Sequence, residues 1–116
     1  MKQAQVIAFA PYFDARNSVD VVADGRWTYL EHGGKRHALG PRQVLSLLDA
    51  LYDLRRRGYR YDTAVGGLKI DGGFPTVRLS CEHWSVGLSR RQFATLLRQA
   101  DRRSKALEGR KVAGAR

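Results

Sequence analysis

Leu39-Gly40-Pro41-Arg42-Gln43-Val44-Leu45-Ser46-Leu47-Leu48 recurs 49 positions on, without a gap, as Leu88-Ser89-Arg90-Arg91-Gln92-Phe93-Ala94-Thr95-Leu96-Leu97. Identities fall at Leu39/Leu88, Arg42/Arg91, Gln43/Gln92, Leu47/Leu96 and Leu48/Leu97. The same offset sets Leu30 on Leu79, Tyr12 on Tyr61, Val19 on Leu68 and Val21 on Ile70. Average residue frequencies would give only about one or two identities over such a window. The chain therefore reads as a tandem duplication, which constrains everything around the quoted stretch.

In each copy that stretch opens a helix. Gly40-Pro41 puts proline at the first helical position, where its missing N–H costs nothing, and Val44, Leu47, Leu48, Leu51 and Leu54 follow at a spacing that makes one apolar face. Arg55-Arg56-Arg57 suit the negative end of the helix dipole, and Gly58 supplies a left-handed cap. In the second copy Ser89-Arg90-Arg91-Gln92 is a capping box, ahead of the stripe Phe93, Leu96, Leu97 and Ala100. Strands precede each helix. They are expected at Gln5–Phe13, Ser18–Ala23, Arg26–His32 and Lys35–Leu39, then at Tyr59–Val65, Leu68–Asp71, Pro75–Cys81 and Trp84–Leu88. Asp24-Gly25, Gly33-Gly34, Gly66-Gly67, Gly72-Gly73 and Glu82-His83 mark the turns between them. The predicted fold is α+β: tandem ββββα repeats, two antiparallel sheets each backed by one helix. Residues 1–107 form a single domain of two repeats, about 5–57 and 58–107, and 108–116 form a basic disordered tail.

The chain has 116 residues, 43% hydrophobic and 28% charged, enough for one core without disulfides or a structural metal. No apolar run approaches the roughly 20 residues that cross a bilayer, and no secretory signal pattern opens the chain, so no membrane association and a cytoplasmic location are expected. Cys81 is the single cysteine, which excludes an internal disulfide and a cysteine-based zinc site. Lys and Arg number 21 against 11 Asp and Glu, a net charge of +10. Such a field concentrates polyanions, of which nucleic acid is the commonest. Sixteen of the 21 are Arg, suited to bidentate phosphate contact. A GC-rich genome also raises Arg over Lys, but leaves the net charge unexplained.

Alternation along the third strands assigns their faces. Val77, Leu79 and Cys81 point inward, and so do their counterparts Thr28, Leu30 and His32. The other face carries Trp27, Tyr29 and Glu31 in one half and Thr76, Arg78 and Ser80 in the other, an aromatic and basic surface. Either Trp27 and Tyr29 stack on bases, at about 1–3 kcal/mol each, or they pack against the other sheet or a second subunit. Arg42, Arg90 and Arg91 stand at helix starts, where the dipole disfavours cations. A phosphate bound there would reconcile them, as would carboxylates from neighbouring loops.

Two successive units of four strands and a helix, with basic residues and aromatics on the strands, resemble the single-stranded nucleic-acid-binding proteins of the Whirly and PUR-repeat group. The resemblance spans about residues 5–106 and lies in element order, repeat and charge. It implies curved antiparallel sheets backed by helices, with one sheet face tracking a single strand. The positions it implies are Trp27, Tyr29 and Arg78 on the third strands, with Arg26, Lys35, Arg36 and Lys69 near strand ends. The chain departs from an even two-fold surface, because Thr76 and Arg78 are the counterparts of Trp27 and Tyr29.

Little points to catalysis. Cys81 and His83 flank Glu82, but Cys81 falls on the apolar face. His32, His37 and His83 are scattered, and Asp14, Asp20, Asp24, Asp62 and Asp71 sit where turns favour Asp. No Gly-rich phosphate loop occurs. No catalytic residue, metal or cofactor is assigned. The expected function is non-enzymatic, sequence-tolerant binding of DNA or RNA, single strands preferred, through Trp27, Tyr29, Arg78, Arg26, Lys35, Arg36, Lys69, Arg42, Arg90 and Arg91. The tail from Arg110 to Arg116 would add electrostatic affinity. The alternative is a protein-interaction module, a small regulator or inhibitor docking on an acidic or nucleic-acid-processing partner. The protein would act as a monomer or homo-oligomer. A duplex-binding helix-turn-helix is absent, because strands separate the two helices, so a duplex-binding reading would run through strands entering a groove.

Overall fold

Short alternating segments joined by glycine turns form strands, and the two leucine-rich stripes form helices. The computed structural model describes residues 18–73 and 76–114, with side chains through Glu108. Strands β1 (Asp20–Asp24), β2 (Trp27–His32) and β3 (Lys35–Leu39) make one antiparallel sheet in sequential order. Helix α1 (Pro41–Arg56) follows. Strands β4 (Asp62–Val65), β5 (Leu68–Asp71), β6 (Val77–Ser80) and β7 (Ser85–Leu88) make the second sheet, again in order, and α2 (Arg90–Gly114) ends the described chain. At Gly33-Gly34 and Gly66-Gly67 both residues of the hairpin turn have positive φ, which explains the paired glycines.

The fold is α+β, and the run β1-β2-β3-α1 is followed at the 49-residue offset by β5-β6-β7-α2. The expected strand Gln5–Phe13 lies outside the described residues. The expected strand over Tyr59–Val65 shortens to Asp62–Val65 for a local reason. Gly58 and Tyr59 both adopt left-handed φ, 70° and 65°, while the Tyr59 N–H donates to the Leu54 carbonyl to finish α1. Helix α2 extends to Gly114, through residues expected to form a disordered tail. Ala106, Leu107 and Glu108 are good helix formers, and no proline interrupts them.

One expectation needs correction: neither sheet has a helix of its own. Helices α1 and α2 pack on each other. Helix α2 lies mainly against β1 of the first sheet and also meets β7 of the second, while α1 packs as extensively on β2 and β3 of the first sheet as on β4 of the second. The apolar stripes of both helices meet the inner faces of both sheets in one core that includes Leu30, Leu39, Ile70 and Leu79. Each fully buried large side chain there contributes about 1.5–3 kcal/mol. Polar ties cross between the halves as well. Gln99 of α2 accepts from the Val21 N–H at 3.0 Å, and His37 Nε2 donates to the Gly66 carbonyl at 2.8 Å.

Arg103 is the most unusual of these ties. It is 7% exposed, and its guanidinium donates to Thr28 Oγ1 at 2.8 Å, the Gly25 carbonyl at 2.7 Å and the Trp27 carbonyl at 3.2 Å. A side chain of α2 thus pins the β1–β2 turn.

Candidate nucleic-acid interface

Cross-strand pairing fixes which residues share the outer face of the first sheet. Tyr29 lies opposite Val22 and Ala38, Trp27 opposite Asp24, and Glu31 opposite Asp20 and Arg36. Thr28 and Leu30 are buried on the other side, as the alternation predicts. Trp27 is 53% exposed and Tyr29 is half-buried. Arg36 donates to Glu31 at 2.8 Å and its guanidinium sits 5.5 Å from the Tyr29 ring centroid. The hydrogen bond to Glu31, with the Glu31 charge, holds Arg36 above its ordinary pKa. The aromatic face is therefore open at Trp27 but shared with Asp20, Asp24 and Glu31.

The outer face of the second sheet is sparse. Lys69 lies opposite Ser80, and Arg78 opposite Asp71 and Gly87. Arg78 Nη1 donates to Ser85 Oγ at 3.1 Å. Over both sheets the strands hold Lys35, Arg36, Lys69 and Arg78 against Asp20, Asp24, Glu31, Asp62 and Asp71. The strands are slightly acidic, so the net positive charge lies elsewhere.

At the helix starts the glutamines common to both copies act alike. Gln43 Oε1 accepts from the Gly40 N–H at 2.9 Å, and Gln92 Oε1 from the Ser89 N–H at 2.8 Å. Ser89 Oγ completes the second box by accepting from the Gln92 N–H at 3.2 Å. Arg90 and Arg91 diverge. The Arg90 guanidinium lies 3.6 Å from the Tyr59 ring centroid, a stacked contact that engages it within the protein, whereas Arg91 is exposed. Among the described residues Arg26, Lys35, Arg42, Lys69 and Arg91 are exposed and form no ion pair.

Helix α2 holds most of the charge, with eight Lys and Arg against Asp101 and Glu108. Arg91, Arg98, Arg102 and Lys105 are spaced by seven, four and three, which places them on one helix face, and all four are exposed. Phe93, Leu96, Leu97 and Ala100 are buried on the opposite face. The row is about 21 Å long at roughly 1.5 Å per residue. Lys105 pairs with Asp101 at 3.1 Å, and Arg98 donates to Thr95 Oγ1 at 3.2 Å. Arg98, Arg102 and Lys105 were not among the expected site residues. The helical projection that gives the apolar stripe also gives this face, so the signal was present in the sequence.

Two expected residues, Arg26 and Arg42, come together from different elements. Arg26 in the β1–β2 turn and Arg42 in the first turn of α1 border a depression of about 450 Å³, lined also by Pro41, Leu45, Ser104, Leu107 and Glu108. Leu45 is 49% exposed. His32 faces inward, with Nδ1 donating to the Ser18 carbonyl at 2.9 Å, and Cys81 is half-buried. Among the described residues no group of His, Cys, Asp and Glu could hold a metal ion, and no helix is long and apolar enough to cross a membrane. The chain matches no protein-family model, no curated protein and no solved structure.

Proposed function

We propose that this protein is a non-enzymatic, sequence-tolerant nucleic-acid-binding protein of the cytoplasm, acting on single strands of DNA or RNA. The observation that carries the proposal is the row Arg91, Arg98, Arg102 and Lys105, a straight cationic edge on the outer side of α2. Polyphosphate backbones bind such edges by releasing counterions. Trp27 supports it as an exposed ring beside the cationic turn residue Arg26. The finer fold reading, two ββββα copies akin to the Whirly and PUR-repeat arrangement, is supported by the 49-residue match and the shared offset of β1-β2-β3-α1 and β5-β6-β7-α2.

Four phosphate contacts to a single strand give a slope of about −3 in log K against log salt, a loss of roughly fifty-fold between about 50 and 200 mM. Fluorescence polarisation with single-stranded DNA, single-stranded RNA and duplex DNA measures this directly. Replacing Arg91, Arg98, Arg102 and Lys105 together by Ala should remove most of the slope without unfolding the protein, since all four are exposed. A salt-insensitive wild type, or a quadruple variant with the wild-type slope, would overturn the proposal. Absence of binding to all three polymers would leave the protein-interaction module in its place.

A further inference from the structure

We infer that the depression between the start of α1 and the later turns of α2 holds one nucleotide of the bound strand, an inference that rests on the function proposed above. The base would lie on Pro41, Leu45 and Leu107, and the phosphate between Arg26 and Arg42.

The first reason is the exposure of Leu45. The stripe residues of α1 are buried, yet Leu45 keeps about half its surface open, and 49 positions on its counterpart is the small Ala94. A large aliphatic side chain left open beside Pro41 and Leu107 makes an apolar floor at this one place. The second reason is charge complementarity. Arg26 and Arg42 reach the rim from separate elements, and neither forms an ion pair among the described residues. Glu108 is the one acidic side chain in the lining.

Together these features select the ligand class. A bare phosphate would leave the apolar floor wet, and a neutral ring alone would leave two guanidinium groups unused. A nucleotide satisfies both, and the Glu108 carboxylate can accept from an exocyclic amino group, as adenine, cytosine and guanine present. At about 450 Å³ the space lies within the usual range of small-ligand sites, about 300–1,000 Å³. The rim is also held in place. Arg103, next to Ser104 of the lining, fixes the carbonyls of Gly25 and Trp27 on either side of Arg26. The Trp27 indole lies 4.0 Å from where a Cβ on Gly40, the residue before Pro41 of the lining, would stand, so the next base has a ring to stack on.

An abasic oligonucleotide keeps the phosphates and removes the bases, which separates this site from the α2 row. Wild type should bind oligodeoxyadenylate more tightly than an abasic strand of equal length, and Leu45→Ser should cut that preference by about tenfold, leaving the share due to Trp27, while keeping the salt slope. Arg42→Gln should also weaken oligodeoxyadenylate binding. Equal binding of both strands by wild type, or a preference that neither substitution reduces, overturns the inference and leaves the α2 proposal intact. A change in native mass with Leu45→Ser and no change in base preference assigns the depression to self-association instead. If wild type binds neither strand, the nucleic-acid proposal itself fails.

Discussion

Replacing Arg103 by Met should destabilise the protein by about 3 kcal/mol, because this side chain ties α2 to the β1–β2 turn. Met keeps most of the buried apolar stem and removes the hydrogen bonds to Thr28, Gly25 and Trp27. Bonds from a charged donor contribute about 1.5–3 kcal/mol each. Water can replace the guanidinium at the carbonyls of Gly25 and Trp27, whose residues are exposed, but Thr28 is 1% exposed and its hydroxyl would stay unsatisfied. Relief of the desolvated charge offsets part of the loss. For a chain of this length about 3 kcal/mol corresponds to roughly 12 °C in Tm. Circular dichroism melts of wild type, Arg103→Met and Arg103→Lys measure it, and Lys should recover little, since a single ammonium cannot span acceptors on three residues. Adding Thr28→Val to Arg103→Met removes the orphaned hydroxyl, so the pair should be less destabilised than the sum of the singles by about 1–2 kcal/mol. An Arg103→Met melt within about 4 °C of wild type would refute the assignment of Arg103 as the tie.

Three further predictions concern Asp53 of α1 and the two aromatic residues of β2, Trp27 and Tyr29. Asp53 is held below its ordinary pKa by the hydrogen bond from Arg56 and by the charges of Arg57 and Arg56. The stability it adds is therefore present above the ordinary aspartate value of about 3.9 and is lost as pH falls through the lower folded-state value. The difference in Tm between wild type and Asp53→Asn should be constant near neutral pH and close at acid pH, and a difference that grows on acidification would contradict the sign. Trp27→Ala should weaken single-strand binding by about tenfold and abolish any quenching of indole emission, since Trp84 is buried. Tyr29→Ala should change binding much less, because Tyr29 is half-buried beside the Arg36–Glu31 pair, and equal effects of the two would overturn the distinction.

Local chemistry was legible in the sequence wherever it sufficed. Proline at the start of α1, glycine after its end and leucines at helical spacing needed no distant partner, and paired glycines fixed the hairpins. Alternation gave the inward faces of β2 and β6 correctly. Partner choice was not legible, because a stripe such as Phe93, Leu96 and Leu97 specifies burial without naming the sheet it meets. Arg103 was missed for the same reason. In sequence it is one more cation beside Arg102, and only the placement of Thr28 and the β1–β2 turn over it turns it inward. The left-handed Tyr59 was hidden too, since a residue with aromatic neighbours in sequence fits a strand as well as a helix cap.

The partition of charge decides how a polyanion can approach. The outer face of the first sheet presents Asp20, Asp24 and Glu31 with Arg36 already paired, so a phosphate chain laid along Tyr29 would face repulsion. Helix α2 presents the opposite field along about 21 Å. Trp27 stands at the end of β2 nearest Arg26 and the start of α1. An aromatic ring in that position can stack on a base while the backbone stays with the cations, whereas a ring in the middle of the sheet cannot. On the proposed function the sheet would contribute through its edge and its turn, and the helix that fills the core with one face would offer the other, cationic face to the strand.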